Sequence, residues 1–492
     1  MVAICQSARL SERKIFVAAG MILIFAFAIR FLTFFLPHWQ GDQSQYVALA
    51  MKYDTLGLDG LNLDQIQINQ VPFLGSQDWQ FVYPVLSKNK GDSDLYRAYE
   101  KFGLEFYKLP LFYKSPLFPV VLAVSHRWFA PQGQPFVVTK TLSGDKPRKL
   151  YINWFLFKTQ FWAVIVTLAS SLLTILFVFF FARELFGPRI ALYAMFLAAI
   201  HPVPLLNSYK ILSDDFASFF VITSLFIFYI AHQKKNLFFV FISGAIAGLG
   251  ILAKQSTILI LPSIVLYLFF CDGEKWHRPA AWVNFFKRGY FLWFFLGAFF
   301  ISAHWFYLVY QVYGNPFFEP DIQNIVNVEL SGWHRLLSNR PTGFVLFLMN
   351  VPLFCPPYLF GHLSFQNFCK QLLSSVGPES QRRAVLFLWF WVLPMLLFFV
   401  FRIESREERY LLPAYPALAI LSAYGLSAFQ DRFSKHYGKP LFFGSLTVLF
   451  LAGAAAWSVP IALESALRQN FLVQHPLKMA KLFYARKAIT VG

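Results

Sequence analysis

Residues Ile15 to Tyr46 read IFVAAGMILIFAFAIRFLTFFLPHWQGDQSQY. The apolar part runs from Ile15 to Leu36 and stops at Pro37. A helix rising ~1.5 Å per residue needs about 20 such residues to cross ~30 Å of hydrocarbon, so this stretch predicts a membrane span. It is too long for a cleaved signal peptide and lacks a small-residue cleavage site, which predicts that the span is retained. Arg9, Arg13 and Lys14 precede it, which predicts a cytoplasmic N-terminus. The polar residues after it are Trp39-Gln40-Gly41-Asp42-Gln43-Ser44-Gln45-Tyr46. If they are helical, Asp42, Gln45, Tyr46 and Leu49 share one face at i, i+3, i+4 and i+7. A carboxylate, an amide and a phenol then gather at the exit of a membrane helix. Asp42 alone reads equally well as an ordinary helix cap.

The rest of the chain repeats the apolar theme. It has 492 residues, 57% hydrophobic and 14% charged, where a soluble domain carries about 25% charged residues. The fold class this predicts is an all-α polytopic membrane protein, because a membrane barrel would show alternating ten-residue segments instead. The 61 Phe residues suit lipid contact. The net charge of +18 comes from basic residues scattered over loops, which fits cytoplasmic loops and anionic head groups and speaks against nucleic acid. The four cysteines have no metal-binding or disulfide spacing.

Residues 38–115 form the longest polar segment, with nine acidic residues against seven basic ones. Within it, Tyr46 to Leu56 predicts an amphipathic interfacial helix ended by Gly57. Apolar runs then follow at Leu111–Ala130, Tyr151–Ala182 and Ile190–Leu206. From Phe216 onward, runs alternate with loops whose basic residues mark one side as cytoplasmic. The early half does not close. Asp42 and Asp214 on one face need an even number of crossings between them, and three runs intervene. Either one run is re-entrant or Tyr151–Ala182 hides two passes, for a total of 11 or 13.

On that topology one face collects Asp42, Lys114, Asp214, Asp215, Lys254 and the Arg402–Arg409 cluster before Tyr410. Charges beside apolar spans are costly and mark functional candidates. Carboxylates suit base or metal chemistry, and the cations suit a phosphate. Each also has a plainer reading: Lys114 and Lys254 as snorkelling side chains, Asp214 or Asp215 as a helix cap. Gly244 and Gly248 read as a helix-packing step, and His126, His201, His304 and His334 as structural or interfacial.

Five pieces in order resemble the GT-C superfamily of polyprenyl-phosphate-dependent membrane glycosyltransferases, which includes the protein O-mannosyltransferases and the lipid A aminoarabinose transferases. They are Asp42-Gln43-Ser44-Gln45-Tyr46, Lys114-Ser115-Pro116-Leu117, Leu212-Ser213-Asp214, the glycine-containing run from Gly244 to Lys254, and Arg409-Tyr410-Leu411-Leu412-Pro413. Gly314-Asn315-Pro316-Phe317 looks like an outer loop of many members. The resemblance implies a bundle of about 11–13 transmembrane helices with a long first extracytoplasmic loop. It assigns residues 1–430 to the catalytic module and 431–492 to a further membrane helix and tail. It implies transfer of a sugar from a polyprenyl-phosphate carrier to a hydroxyl or phosphate acceptor on a lipid, glycan or protein. That reaction would be inverting, outside the cytoplasm, at the inner (plasma) membrane. Asp42 is then the expected catalytic base. Gln43, Tyr46, Lys114, Asp214, Asp215, Lys254, Arg409 and Tyr410 are the expected substrate-binding residues. The expected cofactor is a divalent metal ion held through Asp42 and Asp214. Gln43 departs from the family's Glu, and an amide is neither a base nor a good metal ligand. A transporter or flippase of lipid-linked or anionic substrates is the main alternative reading, and an inactive relative is the other.

Overall fold

A computed structural model describes residues 11–34, 46, 50, 53, 115–129, 154–271, 283, 285–313, 352–353, 355–373, 379–402 and 408–469. The regular elements among them are all helical. In chain order the helices are α1 (Glu12–Phe34), α2 (Leu117–Phe129), α3 (Trp154–Phe186), α4 (Pro188–Ile200), α5 (Pro202–Asn207), α6 (Ser213–Gln233), α7 (Leu237–Ala253), α8 (Ile260–Cys271), α9 (Tyr290–Tyr313), α10 (Leu359–Leu373), α11 (Glu379–Arg402), α12 (Tyr415–Tyr437) and α13 (Pro440–Gln469). Short 3-10 turns at Gln255–Leu259, Pro356–Tyr358 and Glu408–Ala414 precede α8, α10 and α12.

Seven of the described helices are long and apolar enough to cross a membrane, and the chain is an integral multi-pass membrane protein. Burial ranks them. The apolar stretches of α12 and α6 are 89% and 72% buried, so these two helices form the centre, whereas those of α1 and α13 are only 28% buried. Exposed Phe16, Ile24, Leu441 and Leu449 give these outer helices the apolar surface that lipid requires.

Two ion pairs mark one end of the bundle. Arg183 Nη2 lies 2.7 Å from Glu12 Oε2, joining the end of α3 to the start of α1. Arg189 Nη2 lies 3.0 Å from Asp431 Oδ1, joining the start of α4 to the last third of α12. Between Arg183 and Arg189 the chain reverses at Gly187, whose φ of +88° is a left-handed conformation that glycine adopts without strain. Pro188 then opens α4, where its missing N–H costs nothing.

The opposite end carries the start of α6 and the end of α7, and here the crossing problem is solved. Tyr151–Ala182 does not hide two passes, because α3 is one continuous helix of 33 residues. Within the run Leu111–Ala130, the described part is a short helix that does not cross. This helix, α2, has 13 residues, about 20 Å at ~1.5 Å each. Near its start Phe118 meets Phe216 in the first turn of α6, with ring centres 5.5 Å apart. At its other end Phe129 and His126 meet Phe161 and Trp162 of α3, at 6.2 and 4.9 Å. Trp162 is 21 residues from Arg183, so both ends of α2 lie at the same end of the bundle.

The expected packing step is present. A Cβ on Gly244 would sit 2.0 Å from the Phe294 carbonyl oxygen, and one on Gly297 would sit 2.2 Å from that of Phe241. Backbones of α7 and α9 therefore touch directly, as small residues allow.

Candidate functional site

The site grows from the start of α6. Leu212 is extended (φ −128°, ψ 146°), and Ser213, Asp214 and Asp215 form the first turn, where carboxylates complement the helix dipole. All three are buried. Consecutive helical residues diverge by about 100°, so the two carboxylates point to different neighbours.

Asp214 Oδ1 pairs with Lys254 Nζ, and the lysine side chain is the more exposed partner at 19% against 3%. Lys254 caps α7 with an extended backbone (φ −156°, ψ 122°), its N–H donating to the Gly250 carbonyl at 2.8 Å. Its ammonium lies 4.9 Å from the ring centre of Tyr410. The guanidinium of Arg409 lies 5.3 Å from that ring centre. Both cations are thus within reach of the electron-rich ring. The segment carrying them is anchored from below, because Trp391 of α11, fully buried, donates its Nε1–H to the Pro413 carbonyl at 2.9 Å.

Tyr46 joins the same place. Its hydroxyl lies 2.7 Å from Ser213 Oγ, and its ring packs edge-on against Phe118 at 5.1 Å. Tyr46, Ala50 and Tyr53 are all helical and buried, at the i, i+4 and i+7 spacing of one helix face. Among the described residues, the buried Tyr209 hydroxyl and Gln255 Nε2 have no hydrogen-bond partner. Both stand within a few residues of Asp214 or Lys254, where such atoms suit a polar ligand. Burial pushes the Tyr209 phenol above its ordinary range, so it stays a neutral donor.

Asp215 faces the bundle interior instead. It lines one small cavity with Ser171 of α3 and Arg30 of α1. Arg30, fully buried, donates from Nε to Ser171 Oγ at 3.0 Å and from Nη1 to the Ala199 carbonyl at 2.9 Å. A cavity of about 20 Å³ opens between Arg30, Asp215, Ser218, Tyr358 and Tyr415, room for one water-sized group.

Of the residues expected from the sequence, Tyr46, Asp214, Lys254, Arg409 and Tyr410 come together, and Asp215 sits behind them. Asp42, Gln43 and Lys114 lie outside the described residues. Among the described residues no three of His, Cys, Asp or Glu converge, and Asp214 is paired with Lys254, so these residues alone do not make a divalent-metal site. His201 Nδ1 accepts from Val203 N–H, and its ring packs against Tyr358 and Tyr415, while the His126 ring meets Trp162 edge-on. Arg30 and Ser171 are not among the residues expected from the sequence. For Arg30 the signal was available: it is the one charge inside the first apolar run.

Comparison with known proteins now places the bundle. The family model for dolichyl-phosphate-mannose-protein mannosyltransferase matches residues 150–306, which include Asp214 and Lys254. The structure of ArnT from Cupriavidus metallidurans bound to undecaprenyl phosphate superposes with a TM-score of 0.52 at 16% identity, covering 95% of this chain and 74% of that one. The chain has the GT-C fold. A second GT-C structure agrees: the archaeal oligosaccharyltransferase AglB from Archaeoglobus fulgidus, in complex with an inhibitory peptide and a dolichol-phosphate. It superposes with a TM-score of 0.51 at 15% identity, covering 92% of this chain and 56% of AglB, so this GT-C chain spans little more than half of that protein. No curated protein sequence matches the chain.

Proposed function

We propose that the chain is a membrane glycosyltransferase that moves a sugar from a polyprenyl-phosphate carrier to a hydroxyl or phosphate acceptor on the extracytoplasmic face. One observation carries this reading: Asp214, Lys254, Tyr410 and Arg409 converge at one end of a GT-C bundle. In support, ArnT is described with bound undecaprenyl phosphate and AglB with a dolichol-phosphate. The basic loops between spans favour placing the site end away from the cytoplasm.

In the proposed step the acceptor oxygen attacks the anomeric carbon as the bond from that carbon to the phosphate oxygen breaks. Polyprenyl phosphate leaves with the electron pair. Lys254 and Arg409, joined by Lys114, neutralise the charge that grows on it, where fixed cations lower the barrier most. Asp214 holds the Lys254 ammonium in place, and Tyr410 orients both cations. Asp42, one helical turn ahead of Tyr46 in sequence, takes the proton of the acceptor. A lone base with no second nucleophile makes the displacement single and inverting. Gln43 contributes a hydrogen bond rather than a charge. No step is routed through a metal.

The test is transfer by the purified full chain in lipid nanodiscs supplied with undecaprenyl-phosphate-linked hexose and candidate acceptors, read by mass spectrometry of the lipid. Release of undecaprenyl phosphate that is lost in Asp42→Asn supports the mechanism, and full turnover by Asp42→Asn removes it. Movement of the lipid-linked sugar across proteoliposomes with no product would support a flippase instead.

A further inference from the structure

Arg30 puts a guanidinium into the first apolar span, fully buried, where an uncompensated charge is expensive. Four helices meet on it. Its own α1 supplies the side chain, α3 supplies Ser171 Oγ at 3.0 Å, α4 supplies the Ala199 carbonyl at 2.9 Å, and α6 supplies Asp215, which lines the same cavity as the guanidinium. Ser171 Oγ accepts from Arg30 Nε–H, and Arg30, Ser171 and Asp215 line one cavity. None of these atoms belongs to the cluster of Lys254, Tyr410 and Arg409. Asp215 nevertheless shares the first turn of α6 with Asp214 and Ser213. Holding Asp215 against Arg30 and Ser171 would oppose rotation of this turn, and rotation would carry Asp214 away from Lys254 and Ser213 away from Tyr46.

We propose that Arg30, Ser171 and Asp215 are positioning residues: a buried relay from α1 through α3 that fixes the rotation of the first turn of α6 and so aims Asp214 at Lys254. The doubled carboxylate then has two separate duties, Asp214 toward the site and Asp215 toward the scaffold. The kinetic part of the inference rests on the function proposed above, while the structural part does not.

The experiment uses the full chain in nanodiscs with Asp215→Asn, Arg30→Met and the double variant Arg30→Met/Asp215→Leu. Hydrogen exchange is followed by mass spectrometry in residues 208–218 and, as a reference, in 241–250 of the α7–α9 crossing. Asp215→Asn is nearly isosteric, which keeps the test open if Arg30→Met does not fold. Each single variant is expected to exchange about tenfold faster in 208–218 with the reference unchanged, because it leaves one buried charge unmatched. The double variant, with both charges removed, is expected to regain protection. In transfer assays the single variants should lose about 100-fold in kcat with KM within about threefold, as misplacement of a reacting group does. Unchanged exchange in 208–218, or acceleration spread evenly over all helices, overturns the inference. A wild-type chain that transfers nothing sinks the proposed function, and the exchange result still decides the relay.

Discussion

At Lys254 the backbone leaves helical geometry, so the side chain projects past the end of α7 instead of lying along it. Its ammonium reaches both Asp214 and the face of Tyr410. Lys254→Met removes the cation and leaves the Asp214 carboxylate buried without its partner. Two effects are expected: on the proposed mechanism a loss of about 10²–10³ in kcat from the missing cation, and about 3 kcal/mol of stability from the stranded charge. Kinetics in nanodiscs measure the first, and thermal unfolding in detergent the second. Asp214→Asn should cost less stability than Lys254→Met, because an amide needs no counter-charge. Tyr46→Phe tests the neighbouring contact. It deletes the bond to Ser213 Oγ and should cost about 1 kcal/mol while the edge-on packing against Phe118 persists.

The legibility of single residues followed one physical rule. Asp214, Lys254 and the Arg409-Tyr410 pair border apolar runs, and a charge beside a span stands out in sequence. Tyr46 was legible as a helical-face residue, but its partner Ser213 lies 167 residues away, and no local pattern encodes that pairing. Arg30 sits deep in a run that otherwise reads as uniform hydrocarbon. Its meaning depends on Ser171 and Ala199, 141 and 169 residues distant.

Among elements, the contact between α7 and α9 is set by glycine. With Phe294 O only 2.0 Å from a Cβ built on Gly244, Gly244→Leu must push the helices apart. A cost of about 2 kcal/mol or more is expected, since added bulk finds only backbone to displace. Size-exclusion profiles and melting curves of Gly244→Leu would register it as loss of monodisperse protein. The 3-10 turn Glu408–Ala414 receives a hydrogen bond from α11. Trp391→Phe keeps most of the ring packing but removes the donor to the Pro413 carbonyl. It should lower donor affinity, read from binding of undecaprenyl phosphate, more than it lowers the melting temperature. The α7–α9 step was legible because small residues at i and i+4 announce close approach. The behaviour of α2 was not. The run Leu111–Ala130 is as apolar as a span, and only the described helix, beginning at Leu117 after Pro116 and packed at both ends against one end of the bundle, shows that it does not cross.

For the whole molecule, the class of fold was already set by length and apolarity: the all-α polytopic bundle expected from composition is the GT-C bundle observed. The arrangement of its two ends was not, because an odd number of apolar runs cannot be assigned to sides without knowing which one turns back. The non-crossing α2 supplies the missing parity. Phe129, the last residue of α2, and Trp154, the first of α3, both stand at the site end. A single cysteine placed at position 45 or 145, in a chain cleared of its own four, should react with the same membrane-impermeant maleimide from the same compartment. One placed at position 187 should be shielded from it. For protein engineering this amounts to a splice point. A reporter or affinity tag grafted between Phe129 and Trp154 would share a compartment with the substrate-facing surface without altering the orientation of any later helix.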